Sequence, residues 1–413
     1  MRRFWKIGCL LLLAFHGFAA NASKFYTYVT DLGTDFIELS WGTTAGTNTI
    51  GRSSTSHGLA TIQVAGQTVT SKPNHLVISG LEPDHDYNYE IAIGTTKVGA
   101  GQFRTWAANP DRVAFFVIGD YGTGKEPQRR VAEAMWKEFQ RRAGTGSPVR
   151  FMLSTGDNIY GNFANVLFGV SATGADDRDW ASKFFEPYEP LLARIPFFGT
   201  LGNHDGNETE SHRDLPAFLD NFPFPGGKPS RYYSFAYGNL ARFFALDSTK
   251  NTESGKPHPN YQPDSAQFAW MKQEFAKADT PWVIPFYHHP VFSAGPFHAP
   301  SLHDLQHWVD LFIASRVKVV FNGHEHNFQM SEASAATGGM RFIVSGAGGE
   351  LRAGNVQPNM KDAHVDAWTP QNHFLVVEIE GKTMRVTPLS FEPVTVKGSV
   401  GQDVKMPITI SLP

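Results

Sequence analysis

Five short polar motifs contain most of the residues in this sequence that could do chemistry. They are Gly119-Asp120-Tyr121-Gly122, Gly156-Asp157-Asn158-Ile159-Tyr160, Gly202-Asn203-His204-Asp205, His288-His289-Pro290 and Gly323-His324-Glu325-His326. Carboxylate and phenolate oxygens combined with imidazole nitrogens suit iron, zinc or manganese. One aspartate can also bridge two ions about 3.5–4 Å apart, because a carboxylate has two oxygens. The motifs therefore predict a metal centre able to polarise a phosphoryl oxygen.

Taken singly, each motif has an ordinary structural explanation. A Gly-Asp pair after a strand is usually a turn closed by the aspartate side chain, and Asn203-His204-Asp205 alone could be a polar turn. His324 and His326 alternate on an extended segment, so both rings could enter one site. His289 is expected to point away from His288, because adjacent strand residues face opposite sides. The joint occurrence of all five motifs favours one shared site.

The elements that must position these motifs indicate an α/β domain. Apolar runs such as Val113–Ile118 predict buried strands, and four of the motifs directly follow such a run. Ligands of open α/β sheets bind outside the carboxyl ends of the strands, which would bring the motifs together. The terminal runs Phe374–Ile379 and Met384–Leu389 predict a hairpin. Helices are predicted over Glu126–Arg142, Trp180–Ala193, Ser265–Ala278 and Leu302–Ser315.

A separate all-β module precedes this domain, over residues 24–106. Ile37, Leu39 and Trp41 alternate with polar residues, as expected of a half-buried strand. The stretch Leu81–Tyr87 resembles the tyrosine corner of fibronectin type III sandwiches. We therefore predict a small β-sandwich, a linker over residues 107–111, a catalytic domain over 112–391 and a tail over 392–413.

The amino terminus has the layout of a secretory signal peptide over residues 1–22. Basic residues come first, an apolar run follows, and Ala20 and Ala22 resemble a cleavage signal. A membrane anchor is the alternative, but the run is less than half of a roughly 20-residue span. The only cysteine, Cys9, lies in this run. We therefore expect a periplasmic or secreted protein whose metals are held without thiolates, with no membrane span.

Composition also limits the partners. Charged residues make up 18% of the chain and the formal net charge is −3, with no basic stripe that would follow a nucleic-acid backbone. A polynucleotide is therefore not expected as the main partner.

The five motifs resemble those of the purple acid phosphatases, within the calcineurin-like metallophosphoesterases. The similarity covers nearly all of Val113 to Ser390, including Asn221-Phe222-Pro223, Asp247-Ser248 and Ser345-Gly346-Ala347-Gly348. It implies a sandwich of mixed sheets flanked by helices, an α/β (α+β) fold preceded by a small all-β sandwich. Larger members of the family likewise have a β-sandwich ahead of the catalytic domain.

The resemblance also implies a ligand set for two ions. Asp157 would bridge them. An Fe(3+) site would use Asp120, Asp157, Tyr160 and His326, and a site for Fe(2+), Zn(2+) or Mn(2+) would use Asp157, Asn203, His288 and His324. Tyr160 would give the purple colour, and its alternative is a buried aromatic ring.

Two further histidines match substrate-facing residues of that family. His204 would either stabilise developing charge or protonate the leaving oxygen. His298 follows the fourth motif without aligning cleanly, and a solvated loop histidine is its alternative. The implied reaction is hydrolysis of phosphate monoesters by a metal-activated hydroxide, as in an acid phosphatase. A phosphodiesterase using the same ions and a non-catalytic exported binding protein remain the alternatives.

Overall fold

The structure is a computed structural model, and it describes residues 24–44, 58–161, 180–205, 215–224, 230–250, 252, 258–296, 298, 303–352 and 354–413. The predicted signal peptide lies outside the described residues.

The amino-terminal module is a β-sandwich of two antiparallel sheets. A three-stranded sheet has the order β1-β2-β5, and a four-stranded sheet has the order β4-β3-β6-β7. Ile37, Leu39 and Trp41 are buried, as the alternation predicts. The Tyr87 hydroxyl accepts a hydrogen bond from the Glu82 amide at 2.9 Å, the contact expected of a tyrosine corner. The strands are β1 Tyr26–Leu32, β2 Phe36–Gly42, β3 Ala60–Val64, β4 Gln67–Ser71, β5 His75–Ser79, β6 Asp86–Ile93 and β7 Thr96–Arg104.

Two mixed sheets form the second domain. Its strands are β8 Arg112–Ile118, β9 Val149–Ser154, β10 Phe197–Gly199, β11 Tyr233–Tyr237, β12 Ala241–Ala245, β13 Trp282–Phe286, β14 Val319–Asn322, β15 Phe328–Ser331, β16 Arg341–Ser345, β17 Val365–Thr369, β18 Phe374–Glu380, β19 Thr383–Leu389, β20 Lys397–Gly398 and β21 Ile408–Ser411. One sheet has the order β10-β9-β8-β18-β19-β21, and the other has the order β11-β12-β13-β14-β16-β15-β17-β20. The sheets face each other, since the Phe115 ring packs edge-on against Phe243 and Phe321.

Helices cover the outer faces of the two sheets. They span Glu126–Ala143, Glu186–Leu192, Pro216–Asn221, Ala266–Ala276, Gln306–Ala314 and Gln357–Met360, with a π-helical turn at Ala181–Phe185 and a 3-10 turn at His303–Leu305. Phe275 stacks on Phe244 at 3.9 Å between ring centroids, which fixes one helix on the second sheet. The four predicted helices are present, and two of them include the π-helical and 3-10 turns. The predicted sandwich of mixed sheets is confirmed.

The residues after 391 take part in the fold, so the predicted tail over 392–413 is wrong. Ile408–Ser411 pairs with β19 and forms the edge of the six-stranded sheet. A short alternating segment such as this is recognised as a strand only when its partner is known. Within the described part of the chain, no helix has both the length and the apolarity to cross a membrane.

Candidate metal centre

All five motifs follow the carboxyl ends of parallel strands. β8, β9 and β10 are adjacent and parallel, and so are β13 and β14. The turns after them converge where the two sheets meet. This convergence brings together all seven predicted metal ligands.

The first group of donor atoms comes from Asp120, Tyr160 and His326. The Tyr160 hydroxyl donates to Asp120 Oδ1 at 3.2 Å and lies 3.1 Å from His326 Nε2. His326 Nε2 lies 3.3 Å from Asp120 Oδ1. Two donor atoms that bind one ion at right angles to each other, each with a bond of roughly 2.1 Å, lie roughly 3.0 Å apart. The spacing therefore fits one cation.

The second group comes from Asn203, His288 and His324. Asn203 Oδ1 lies 2.8 Å from His288 Nε2 and 2.9 Å from His324 Nδ1. The two ring nitrogens are 3.2 Å apart. These distances fit a second cation by the same argument. His288 Nδ1 is held by the Thr155 carbonyl at 2.8 Å, which turns Nε2 towards the site.

Asp157 connects the two groups. Its carboxylate lies close to Asp120 and His326, and Oδ2 is 3.4 Å from His288 Nε2. Oδ1 accepts a hydrogen bond from the His204 amide at 2.8 Å. Oδ2 is buried and has no hydrogen-bond partner within the described residues. A buried carboxylate oxygen without a partner is costly, and a bridging cation would satisfy it. The residues present therefore fit a two-ion centre.

The electrostatics of the ligands also favour bound cations. Burial opposes the charge of His288, but Asp157 and Asp120 raise the pKa of His288 to about 9. Burial likewise opposes the charge of Asp157, but the His288 charge holds the pKa of Asp157 well below its usual value. Cations would displace the proton between these two residues, since a ligating imidazole must be neutral.

The pKa of the Tyr160 phenol also depends on the charges of the neighbouring carboxylates. Burial, together with the charges of Asp120 and Asp157, raises the pKa of Tyr160 well above its usual value. Phenolate therefore needs a strong positive charge beside it, and the carboxylates that oppose phenolate would also hold that cation.

Three of the predicted ligands have an uncommon backbone conformation. The φ angles are +54° at Asp120, +53° at Asp157 and +73° at His324. Left-handed conformations of non-glycine residues cluster at functional sites, where the surrounding structure maintains them. The left-handed turns thus lie at these three residues themselves, and of the glycines that precede them only Gly156 has a positive φ, at +95°.

His204 and His298 border the donor atoms. The His204 ring lies 4.6 Å from the Tyr160 ring. The His298 ring stacks on His324 at 3.9 Å, and its Nδ1 is 3.2 Å from the Glu325 carboxylate. Glu325 is buried and belongs to the fifth motif, but its position in that motif does not predict a role. Both predicted histidines therefore lie beside the ligand groups.

The expectation that His289 points away from His288 is wrong. β13 ends at Phe286, so the strand alternation no longer applies to the two histidines. Their ring centroids are 4.9 Å apart, and His289 lies 4.5 Å from His324.

Asp205 and Lys183 lie outside the predicted ligand set and support the turns that carry it. Asp205 accepts hydrogen bonds from the backbone amides of Asn158, Ile159 and Gly202, at distances between 2.8 and 3.2 Å. The Lys183 ammonium donates to the Tyr160 carbonyl at 2.8 Å. Asp205 was visible within its motif, whereas Lys183 comes from a helical turn with no sequence signal.

This fold and site define a calcineurin-like phosphoesterase. A model of that family matches residues 113–328, just over half of the chain, and the chain belongs to the family. Its relatives include tartrate-resistant acid phosphatase type 5 of Sus scrofa, 27% identical over 300 residues, or 66% of this chain and 82% of that protein. Purple acid phosphatase 23 of Arabidopsis thaliana is 24% identical over 282 residues, or 62% of this chain and 57% of the plant protein. The match thus spans just over half of the plant relative.

Solved structures share the fold. PhoD superposes with a TM-score of 0.65 at 16% identity, covering 93% of this chain and 92% of PhoD. The purple acid phosphatase PPD1 from yellow lupin seeds gives a TM-score of 0.64 at 16% identity, covering 94% of this chain and 74% of that one.

Proposed function

We propose that this chain is a phosphatase that hydrolyses phosphate monoesters with two metal ions. The observation that carries the proposal is the buried Asp157 Oδ2, which lies between two groups of donor atoms, 3.4 Å from His288 Nε2, and has no hydrogen bond within the described residues. Neither group alone explains a buried carboxylate at that place. The related acid phosphatases support the same reaction class.

Some residues of the site would hold the ions, and others would contact the substrate. Asp120, Tyr160 and His326 would hold one ion, Asn203, His288 and His324 the other, and Asp157 both. When bound, the two ions neutralise charge on the phosphoryl oxygens and lower the pKa of the attacking water. His204 borders the site and would stabilise developing charge or hold a proton for the leaving oxygen. His298, whose Nδ1 lies 3.2 Å from the Glu325 carboxylate, would also contact the substrate.

The ligands also suggest which ions are bound. The phenol of Tyr160 and two carboxylates favour Fe(3+) in the first group, since hard oxygen donors suit a trivalent ion. The imidazoles and amide of the second group suit Fe(2+), Zn(2+) or Mn(2+). The composition of residues 1–22 supports export as part of the proposal, and amino-terminal sequencing of mature protein from the native host tests it.

The decisive experiment compares an aryl phosphate monoester with the matching diester. We expect monoester turnover that chelation abolishes and added metal restores. Asp157→Asn should lower turnover by orders of magnitude and reduce metal content, because it removes charge from both ion sites. Asp264→Asn, whose side chain is 70% exposed, is the matched control and should behave like the parent.

Other outcomes of these experiments would replace or refute the proposal. Preferential cleavage of the diester would replace the monoesterase with a phosphodiesterase. Full activity after chelation, or a folded Asp157→Asn protein with both ions and near-normal turnover, would refute the two-ion mechanism.

A further inference from the structure

A third imidazole faces the second group of donor atoms. His288, His289 and His324 each have a ring nitrogen, and these three atoms lie within 4.8 Å of one another. The three ring centroids are separated by 4.5–5.0 Å. Donors on opposite sides of one ion are roughly 4.2 Å apart and adjacent donors roughly 3.0 Å, so closure by at most roughly 1.8 Å would bring all three nitrogens to one ion.

Ser248 fixes the orientation of the His289 ring. The Ser248 hydroxyl lies 3.0 Å from His289 Nδ1 and accepts a hydrogen bond from the His289 amide at 3.1 Å. Hydrogen bonding at one ring nitrogen is the usual way in which proteins orient a metal-binding imidazole. Because Ser248 occupies Nδ1, Nε2 is the nitrogen left for an ion.

Ser248 belongs to a turn that is itself held firmly. The preceding Asp247 is fully buried and accepts hydrogen bonds from the Thr249 amide and hydroxyl at 2.9 and 2.7 Å. It also accepts from the Asn260 side-chain Nδ2 at 3.1 Å and lies 3.4 Å from the buried Arg231 guanidinium. A turn with this many buried contacts resists displacement, so His289 is presented to the site in a defined position.

We propose that His289 is an additional ligand of the second ion and shifts this site towards metals that prefer nitrogen. The inference rests on the two-ion centre proposed above. Asp157, Asn203, His288 and His324 supply two oxygens and two nitrogens, and His289 makes nitrogen the majority. Imidazole suits Zn(2+) and Fe(2+), whereas oxygen donors suit Mn(2+) and Mg(2+). His289 is thus the residue that sets the metal preference of this site.

Metal competition on the full chain tests the proposal without an activity assay. Protein stripped with a chelator is reloaded from equal concentrations of Zn(2+) and Mn(2+), and the bound metals are measured by elemental analysis. We expect His289→Ala to lower the zinc-to-manganese ratio about tenfold or more. His85→Ala, whose side chain is 54% exposed in the sandwich module, should leave the ratio unchanged.

Two more variants separate this inference from the proposed function. His288→Ala should lose the second ion whichever metal is offered. If His288→Ala loses it while His289→Ala keeps the parent ratio, the ligand role of His289 is overturned and the two-ion centre stands. If His288→Ala also keeps both ions, the centre itself is wrong. Should His289→Ala fail to fold, His289→Gln preserves polarity without the ring nitrogen, and an unchanged ratio in that variant refutes the proposal.

Discussion

His204 can be separated from the metal ligands at the scale of a single residue. Its amide fixes Asp157 Oδ1, but its ring packs beside Tyr160 and is assigned to substrate. His204→Ala keeps the amide, so the metal content should persist while turnover falls by about 10²–10⁴. Steady-state kinetics together with elemental analysis checks this. Loss of an ion would show that the ring binds metal.

Tyr160 makes the identity of the first ion visible. A phenolate bound to a ferric ion should give a visible charge-transfer band, which zinc cannot give because its d shell is filled. Tyr160→Phe keeps the ring and deletes the oxygen. We expect a folded variant without the band, or with a strongly shifted one, and partial activity through Asp120, Asp157 and His326. An unchanged spectrum, or a colourless parent protein containing iron, would contradict this ligation.

At the scale of the secondary-structure elements, the turns that carry the five motifs pack against one another without space for additional side-chain atoms. A Cβ on Gly202 would overlap the Asp157 amide and Oδ1, which belong to the neighbouring turn. Gly202→Ala should therefore displace the bridging carboxylate and lower both metal affinity and turnover.

A second glycine provides the matched control for this substitution. Gly144 ends the helix Glu126–Ala143 with φ −93°, and a Cβ there would meet no atom within 4 Å. Gly144→Ala should leave metal affinity unchanged. Isothermal titration of stripped protein with zinc compares the two variants, and equal affinities would show that the turn tolerates the methyl group.

Trp106 joins the two domains at the scale of the whole molecule. It is buried between Phe151, Phe198, Phe235 and Tyr237, with ring centroids 5.0–6.5 Å away. Its amide also donates to the Gly33 carbonyl at 2.8 Å, so the sandwich and the catalytic domain share one core.

Truncating this side chain should reveal how strongly the domains are coupled. Trp106→Ala should lower the free energy of unfolding by about 3–5 kcal/mol, because the cavity left between the sheets cannot fully collapse. Denaturant unfolding measures the loss, and Leu59→Ala, at a position 53% exposed, is the control. A Trp106→Ala protein as stable as that control would mean that the junction contributes little.

The sequence by itself determined which polar residues would meet at one edge of the catalytic domain. Asp120, Asp157, Asn203, His288, His324 and His326 all follow strands whose apolar runs are local features, and the carboxyl ends of neighbouring parallel strands must meet. Tyr160 was predictable from the motif it shares with Asp157. The sandwich likewise followed from strand alternation and from the Leu81–Tyr87 turn.

Only the tertiary structure decided which residues from distant parts of the chain contact and orient these side chains. His289 turns towards His324 because β13 stops at Phe286, and Ser248 holds it from the turn after β12. Glu325 aligns His298 across the site, and Ile408–Ser411 becomes a strand only beside β19. The physical reason is that periodicity reports what one segment buries, whereas ring orientation and strand pairing depend on contacts between segments far apart in the chain.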